Sequence, residues 1–328
     1  MAKIVTGIGS SHSPTLLMEP PAWIRRGELE DTANAGLYDS KGRHVRYSEL
    51  LQKAPRTIDK ELDPKVLEQR YEANNKAIAR VAEVLLEAEP DIVVIIGDDH
   101  QEVYQENNMP PLAIYWGETF PYRPTGMLEW PYESDLKTEL WYPQDNREYP
   151  VASTFARRLI GDLCERDFDP AHSKFYSEGV GMTHSFGYIY HRIMTRKVFP
   201  VIPVSINSYY PPNQITPLRA YRLGQAIRQS IQAWPEDLRV VTLATGGLSH
   251  FVVDEEFDRA FIEILRSGGP EDHAKLPREK LQSGNSELRC WSVLAGTIEG
   301  MSMELIDYVP CYRSKAGTGC GMAFAYWR

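Results

Sequence analysis

Several features that would announce a compartment or a common chemistry are scarce in this chain. Only four cysteines occur in 328 residues (Cys164, Cys290, Cys311 and Cys320), and no two of them form a C-x-x-C pair. That spacing excludes a zinc ribbon and a disulfide scaffold, and it points to reduced thiols in a reducing compartment. No apolar run approaches the roughly 20 residues needed to span a bilayer, and the first twenty residues lack the apolar stretch of a secretory leader. A cytoplasmic protein with no membrane partner is expected. Positive charge is also short: 36 Lys and Arg stand against 45 Asp and Glu, a net charge of −9. Nucleic acid is not expected as a partner, because a phosphate backbone calls for clustered cations. H-E-x-x-H, G-x-S-x-G and G-x-x-x-x-G-K-[ST] are all absent, and "GIGSS" does not complete a dinucleotide fingerprint. Hydride and phosphoryl transfer therefore lose their usual signatures.

What is present is the composition of an ordinary globular protein, 42% hydrophobic and 25% charged. The run "DIVVIIGDDH" (91–100) reads as a strand covered on both faces, as in parallel or mixed sheets flanked by helices. "KIVTGIG", "PLAIYWG" (111–117), "FPVIPVSIN" (199–207), "LRVVTLATGG" (238–247) and "GCGMAFAYW" (319–327) read as further strands. Residues 67–89 place Ala77, Ile78, Val81, Val84 and Leu85 at helical spacing. Helices are also expected in "ASTFARRLIGDLCERD", "FGYIYHRIMTRK", "PLRAYRLGQAIRQSIQAW", "EEFDRAFIEILRSG" and "SELRCWSVLAGTIEG". The alternation predicts an α/β fold with a central mixed sheet flanked by helices. Residues 1–328 then form a single large domain with long inserted loops at 18–66 and 102–150. The second insertion carries ten aromatic rings in 49 residues (Tyr104, Tyr115, Trp116, Phe120, Tyr122, Trp130, Tyr132, Trp141, Tyr142 and Tyr149). A lid, packing onto the body, and a contact between subunits are the three readings of such a loop.

Three of the eight histidines follow strands in the same manner: His12, His100 and His250. Ligands in open α/β sheets gather at the carboxyl ends of strands, so these three are placed to share one rim. His184 begins a helix, with Thr183 or Ser185 as a cap, and Glu287 stands at another helix start with Asn285 as a cap. Each has an ordinary alternative: a turn histidine for His12 and His184, and a first-turn acid favoured by the helix dipole for Glu287. Asp98 and Asp99 are adjacent to His100 and read as groups that orient its ring. His191 is read as structural, and His44, His172 and His273 as solvated. Two histidines with one carboxylate form the usual iron(II) site of oxygen-activating enzymes. A zinc-dependent hydrolase and a non-enzymatic binding protein remain open on the same residues.

Taken together and in order, "GIGSSHSPTL", "IIGDDHQEVY", "GMTHSFG", "ATGGLSHF" and "SGNSELRCW" resemble the class III extradiol ring-cleavage dioxygenases. These are the type of the protocatechuate 4,5-dioxygenase β subunit and gallate dioxygenase, with the 3-O-methylgallate or biphenyl-catechol branch favoured. The resemblance implies His12, His100 and Glu287 as ligands of Fe(II), His250 as acid/base, and His184 as a contact to a catechol hydroxyl. It implies a catecholic substrate, O2 as co-substrate, and a muconic-semialdehyde-type product of aromatic or lignin catabolism. Where such enzymes carry a Ser-Asn pair for a substrate carboxylate, this chain reads "SKAGTGCG". Lys315, Ala316, Gly317 and Thr318 are therefore the candidate substrate contacts, and Lys315 and Arg313 are otherwise solvated cations. The resemblance also implies an accessory closing element, whose place the two insertions would take, and the aromatic surplus leads to a homodimer as the expected assembly.

Overall fold

A computed structural model describes residues 1–124, 143 and 145–328. Trp130, Tyr132, Trp141 and Tyr142 of the aromatic-rich insertion lie outside the described residues. The strands are β1 (Lys3–Ser10), β2 (Ile92–Asp98), β3 (Leu112–Tyr115), β4 (Thr119–Tyr122), β5 (Arg147–Pro150), β6 (Ala171–Ser173), β7 (Val201–Ile206), β8 (Arg239–Thr245), β9 (His250–Val252), β10 (Met303–Tyr312) and β11 (Thr318–Trp327). Nine form one sheet in the order β10-β11-β1-β8-β2-β7-β3-β6, with β9 pairing β11, while β4 and β5 make a separate hairpin. β1, β8, β2 and β7 are mutually parallel, and β11 and β3 flank them antiparallel. The expected mixed sheet flanked by helices is what forms.

The apolar runs explain why the parallel strands lie inside. On β2, Val94 and Ile96 enter one core and Val93 and Ile95 the other, so both faces are covered. The helix Pro64–Ala88 covers one face through Ile78, Val81 and Leu85. The helices Pro217–Gln232 and Leu288–Thr297 cover the other through Leu223, Ile227, Trp291 and Leu294. Register sets the strand ends level: Ser10 pairs with Thr245, Ile96 with Ala244, and Asp98 with Ile206. The loops after β1, β8, β2 and β7 consequently open at one rim.

Some local readings change. The stretch after His184 is an α-helix only over His184–Tyr188 and widens to a π-type turn over Ile189–Ile193. Residues 18–66 contain short helices, Pro20–Arg26, Tyr47–Lys53 and Ile58–Glu61, too brief to generate a periodic signal. The described rings of the second insertion pack inward: Phe120 meets Phe186 edge-on at 5.4 Å, and Tyr149 stacks on Tyr190 at 4.0 Å. His273 is fully buried and bonded to Ser292 Oγ at 3.0 Å, not solvated.

Candidate metal and catalytic site

The rim brings together all five residues expected to carry chemistry. Glu287, 1% exposed, lies among them: its oxygens stand 3.5 Å from His12 Nε2, 3.4 Å from His100 Nε2 and 3.0 Å from His250 Nε2. His184 Nε2 lies 3.2 Å from His12 Nε2. His100 is the most open of the four imidazoles, with 31% of its side chain exposed, and Tyr209 stands beside it at 4.7 Å between ring centroids.

Three of the four rings are held from behind. His12 follows β1, and its Nδ1 bonds Thr245 Oγ1 at the end of β8 at 2.8 Å. His250 Nδ1 lies 2.9 Å from the Leu248 carbonyl. A carbonyl only accepts, so Nδ1 carries the proton and Nε2 faces the centre. The backbone N–H of His250 donates to Asn285 Oδ1 at 2.5 Å, so Asn285 steadies the histidine loop and does not cap the helix. The Gly247 N–H donates to Glu287 Oε2 at 2.8 Å. Gly284 leaves room for the His250 ring: a Cβ there would fall 1.9 Å from His250 Cδ2.

His184 reaches the rim because Thr183 and Ser185 both donate to the Asp98 carbonyl at 2.8 Å, pinning the helix start to the end of β2. Glu102 accepts from the His184 N–H at 2.8 Å and pairs with its Nδ1 at 2.6 Å. Sequence reasoning missed Glu102; its only signal is an acid two residues past His100. Asp99 does not touch the His100 ring. It accepts from the N–H groups of Glu102, Val103 and Tyr104, folding the turn that carries Glu102. Asp98 projects into the site, with Oδ2 3.1 Å from His100 Nε2 and Oδ1 4.0 Å from His12 Nε2.

Burial and charge pull these groups apart. Burial lowers His12 to about 4 despite Glu287 and Asp98. Burial also opposes charge on His100, yet Asp98 and Glu287 outweigh it and raise its pKa. His250 is raised in the same sense by Glu287 and the Cys320 thiol, and His184 by Glu102. Burial disfavours the Glu287 carboxylate, but His250 and His12 hold its pKa well below the ordinary range.

A metal ion fits these donors. Among the described residues, two three-donor groups have atoms within 4.8 Å of one another: His12, Asp98 and His184, and Asp98, His100 and Glu287. His100 Nε2 and Asp98 Oδ1 are buried without a well-formed hydrogen bond, as expected of atoms awaiting a cation. Imidazole nitrogens with carboxylate oxygens are a donor set that suits iron(II).

Of the candidate substrate contacts, Lys315 is exposed and pairs with Asp59 at 3.8 Å. Ala316 is buried, and Gly317 turns the chain with φ +77°. Thr318 bonds Asp31 and Ser314. The structure does not bring these four into the histidine cluster. Arg313 is not a solvated cation: it is 3% exposed and grips both oxygens of Asp31 at 2.6 and 2.8 Å.

Residues 54–320 match the family model described as the catalytic LigB subunit of aromatic ring-opening dioxygenase. The chain belongs to this family. Two curated relatives of this LigB-family chain are similar over shorter stretches. Gallate dioxygenase of Pseudomonas putida is 39% identical over 72 residues, 20% of this chain and 21% of the relative. A 2,3-dihydroxyphenylpropionate/2,3-dihydroxicinnamic acid 1,2-dioxygenase of Comamonas testosteroni is 26% identical over 181 residues, 54% of this chain and 49% of the relative. The aligned part is thus under half of each relative's length. No described helix is long and apolar enough to cross a membrane.

Proposed function

We propose that this LigB-family chain is an Fe(II)-dependent extradiol dioxygenase that opens a catechol ring beside its diol with O2, giving a muconic-semialdehyde-type product. One observation carries this reading: imidazoles from four separate places in the chain converge at one rim, with His12, His100 and His250 within 3.5 Å of the buried carboxylate of Glu287 and His184 3.2 Å from His12. His12, His100 and Glu287 would hold the iron. When bound, iron(II) would supply a shared centre for the diol and O2 and a path for electron density between them.

The remaining work falls to the protein. His250 presents Nε2 to the centre because Leu248 holds its other nitrogen, so it takes a hydroxyl proton and later returns it. His184, fixed by Glu102, contacts the second hydroxyl. The side where His100 is 31% exposed, beside Tyr209, is where a planar ring would enter. The 315–318 loop offers no clamp for the carboxylate of a small benzoate, since Arg313 is taken up by Asp31. We therefore favour a methylated gallate or a lignin-derived aryl or biphenyl catechol, turned over in the cytoplasm. The test is oxygen uptake by anaerobically iron-loaded protein against protocatechuate, gallate, 3-O-methylgallate and a catecholic biphenyl. Uptake with a yellow product from at least one is expected. Bound iron with no uptake from any catechol overturns the reading.

A further inference from the structure

The loop after β7 runs beside His100, and several of its polar groups are spent within the protein. Asn207 Nδ2 donates to the Tyr210 carbonyl and to Asn213 Oδ1, each at 2.7 Å, and Asn207 Oδ1 accepts from the Tyr210 N–H at 2.9 Å. Gln214 Nε2 donates to the carbonyls of Ser208 and Tyr209 at 2.6 and 3.0 Å, and Arg289 reaches the Ser208 carbonyl at 3.3 Å. Tyr209, half-buried, is thereby fixed with its ring 4.7 Å from that of His100 and tilted 58° to it. Its hydroxyl lies 2.9 Å from Ser283 Oγ. Ser283 takes a left-handed φ of +49° and opens the 3-10 turn Ser283–Glu287, so this bond joins the loop after β7 to the segment that carries Glu287. Gly36 of the first insertion backs the same hydroxyl: a Cβ there would fall 2.9 Å from Ser283 Oγ.

We infer that Tyr209 is the specificity-determining wall of this site: its ring packs against the aromatic ring of the substrate and selects catechols with flat, uncharged substituents. This deepens the catechol reading proposed above and rests on it. A diol that approaches the donors beside His100 brings its own ring alongside Tyr209, and aromatic rings attract in offset and edge-to-face arrangements. The phenol hydroxyl is paired with Ser283, and the carbonyls of Ser208 and Tyr209 are taken up by Gln214 and Arg289. The wall therefore offers area and ring electrons in place of a donor. An anionic substituent gains nothing from such a surface and adds its charge to the carboxylates of Asp98 and Glu287 already at the rim. A methoxy or aryl group gains apolar contact. Because the loop is anchored at Asn207 and Gln214, the ring is ordered before substrate arrives, and little conformational freedom is lost on binding.

The test uses the full chain as wild type, Y209A and Y209F, loaded with Fe(II) without oxygen. Iron affinity is compared by chelator competition, and each protein is titrated with 4-nitrocatechol, whose visible band shifts when its diol chelates a metal. The probe is then displaced by a catecholic biphenyl and by protocatechuate. Expected are iron affinities within about threefold of one another and 4-nitrocatechol bound at least about fivefold more weakly by Y209A. Y209F should bind the probe more nearly as wild type does than as Y209A does, since Phe keeps the ring and loses only the Ser283 bond. Wild type should prefer the biphenyl, and Y209A should narrow that preference at least about threefold. A smaller loss of probe binding in Y209A, a Y209F nearer to Y209A, a loss of iron affinity in Y209A, or a preference that is absent or unchanged overturns the inference and leaves the dioxygenase reading standing. Wild type that fails to hold iron, or holds it and does not bind 4-nitrocatechol, overturns both. If Y209A does not fold, Y209L, which keeps bulk without a flat face, is held to the same thresholds.

Discussion

Glu102 touches His184 twice, through its backbone N–H and through Nδ1, and so fixes both where the helix starts and which ring nitrogen faces the rim. Replacing it with Gln leaves a single acceptor for two donors and loosens the ring. On the proposed role of His184 as a contact to the substrate hydroxyl and not a ligand of the ion, iron-loaded E102Q should bind metal as wild type does while kcat in oxygen-uptake assays falls at least about tenfold. Asp258 acts one layer deeper. It accepts from Ser249 N–H and Oγ at 2.7 Å and from the Tyr308 hydroxyl at 2.7 Å, holding the loop before His250. Burial, with a smaller contribution from Asp254, raises its pKa to about 6, against an ordinary 3.8. Between roughly pH 4 and 6 the native state keeps a proton that the unfolded chain releases, so stability falls as pH rises through that window. The change attributable to this residue is on the order of 2–3 kcal/mol. Denaturant titrations from pH 4 to 7 should show it, and D258N should flatten that slope.

The elements explain what could be read from the chain and what could not. Strands with unbroken apolar runs, β2 and β8 above all, were legible because burial on both faces leaves no polar positions. The histidines that follow them were legible because strand ends converge at one rim. β10 was missed: Pro310 interrupts its pattern, and a proline is tolerated there because β10 is an edge strand. The roles of Asp98, Asp99 and Glu102 were hidden for another reason. Three acids within five residues look alike in sequence, and only the turn decides which faces the rim. Glu287 was legible by its motif, but its position depends on packing between two helices. Gly224 of Pro217–Gln232 and Gly296 of Leu288–Thr297 let the backbones meet, and a Cβ on Gly296 would lie 2.0 Å from the Tyr221 carbonyl oxygen. G296A should cost about 1–3 kcal/mol by thermal melting. It should also weaken iron binding in chelator competition, because Glu287 sits at the start of the displaced helix.

Across the whole molecule, the segment after β1 is tied to the far end of the chain by buried charge. Arg26 meets Glu30 at 2.5 Å, and Asp31 is gripped by Arg313 in the hairpin of β10 and β11. D31A leaves Arg313 buried without its partner and should lower unfolding free energy by about 3–5 kcal/mol in denaturant titration. We also propose a homodimer, with Phe175, 80% exposed, as one apolar group left for a partner surface; sedimentation equilibrium showing only monomer at micromolar concentration would reject it. The placement of β1 has a consequence for how the protein is made. This first strand lies between β8 and β11, whose residues begin at 239 and 318. As the chain leaves the ribosome, β1 waits unpaired through the synthesis of most of the protein, and His12 waits with it. A metal held by both His12 and Glu287, as proposed, could be captured only after Glu287 has emerged, which would make metal loading a late event in the synthesis of this domain and leave β1 a natural client for chaperones until then.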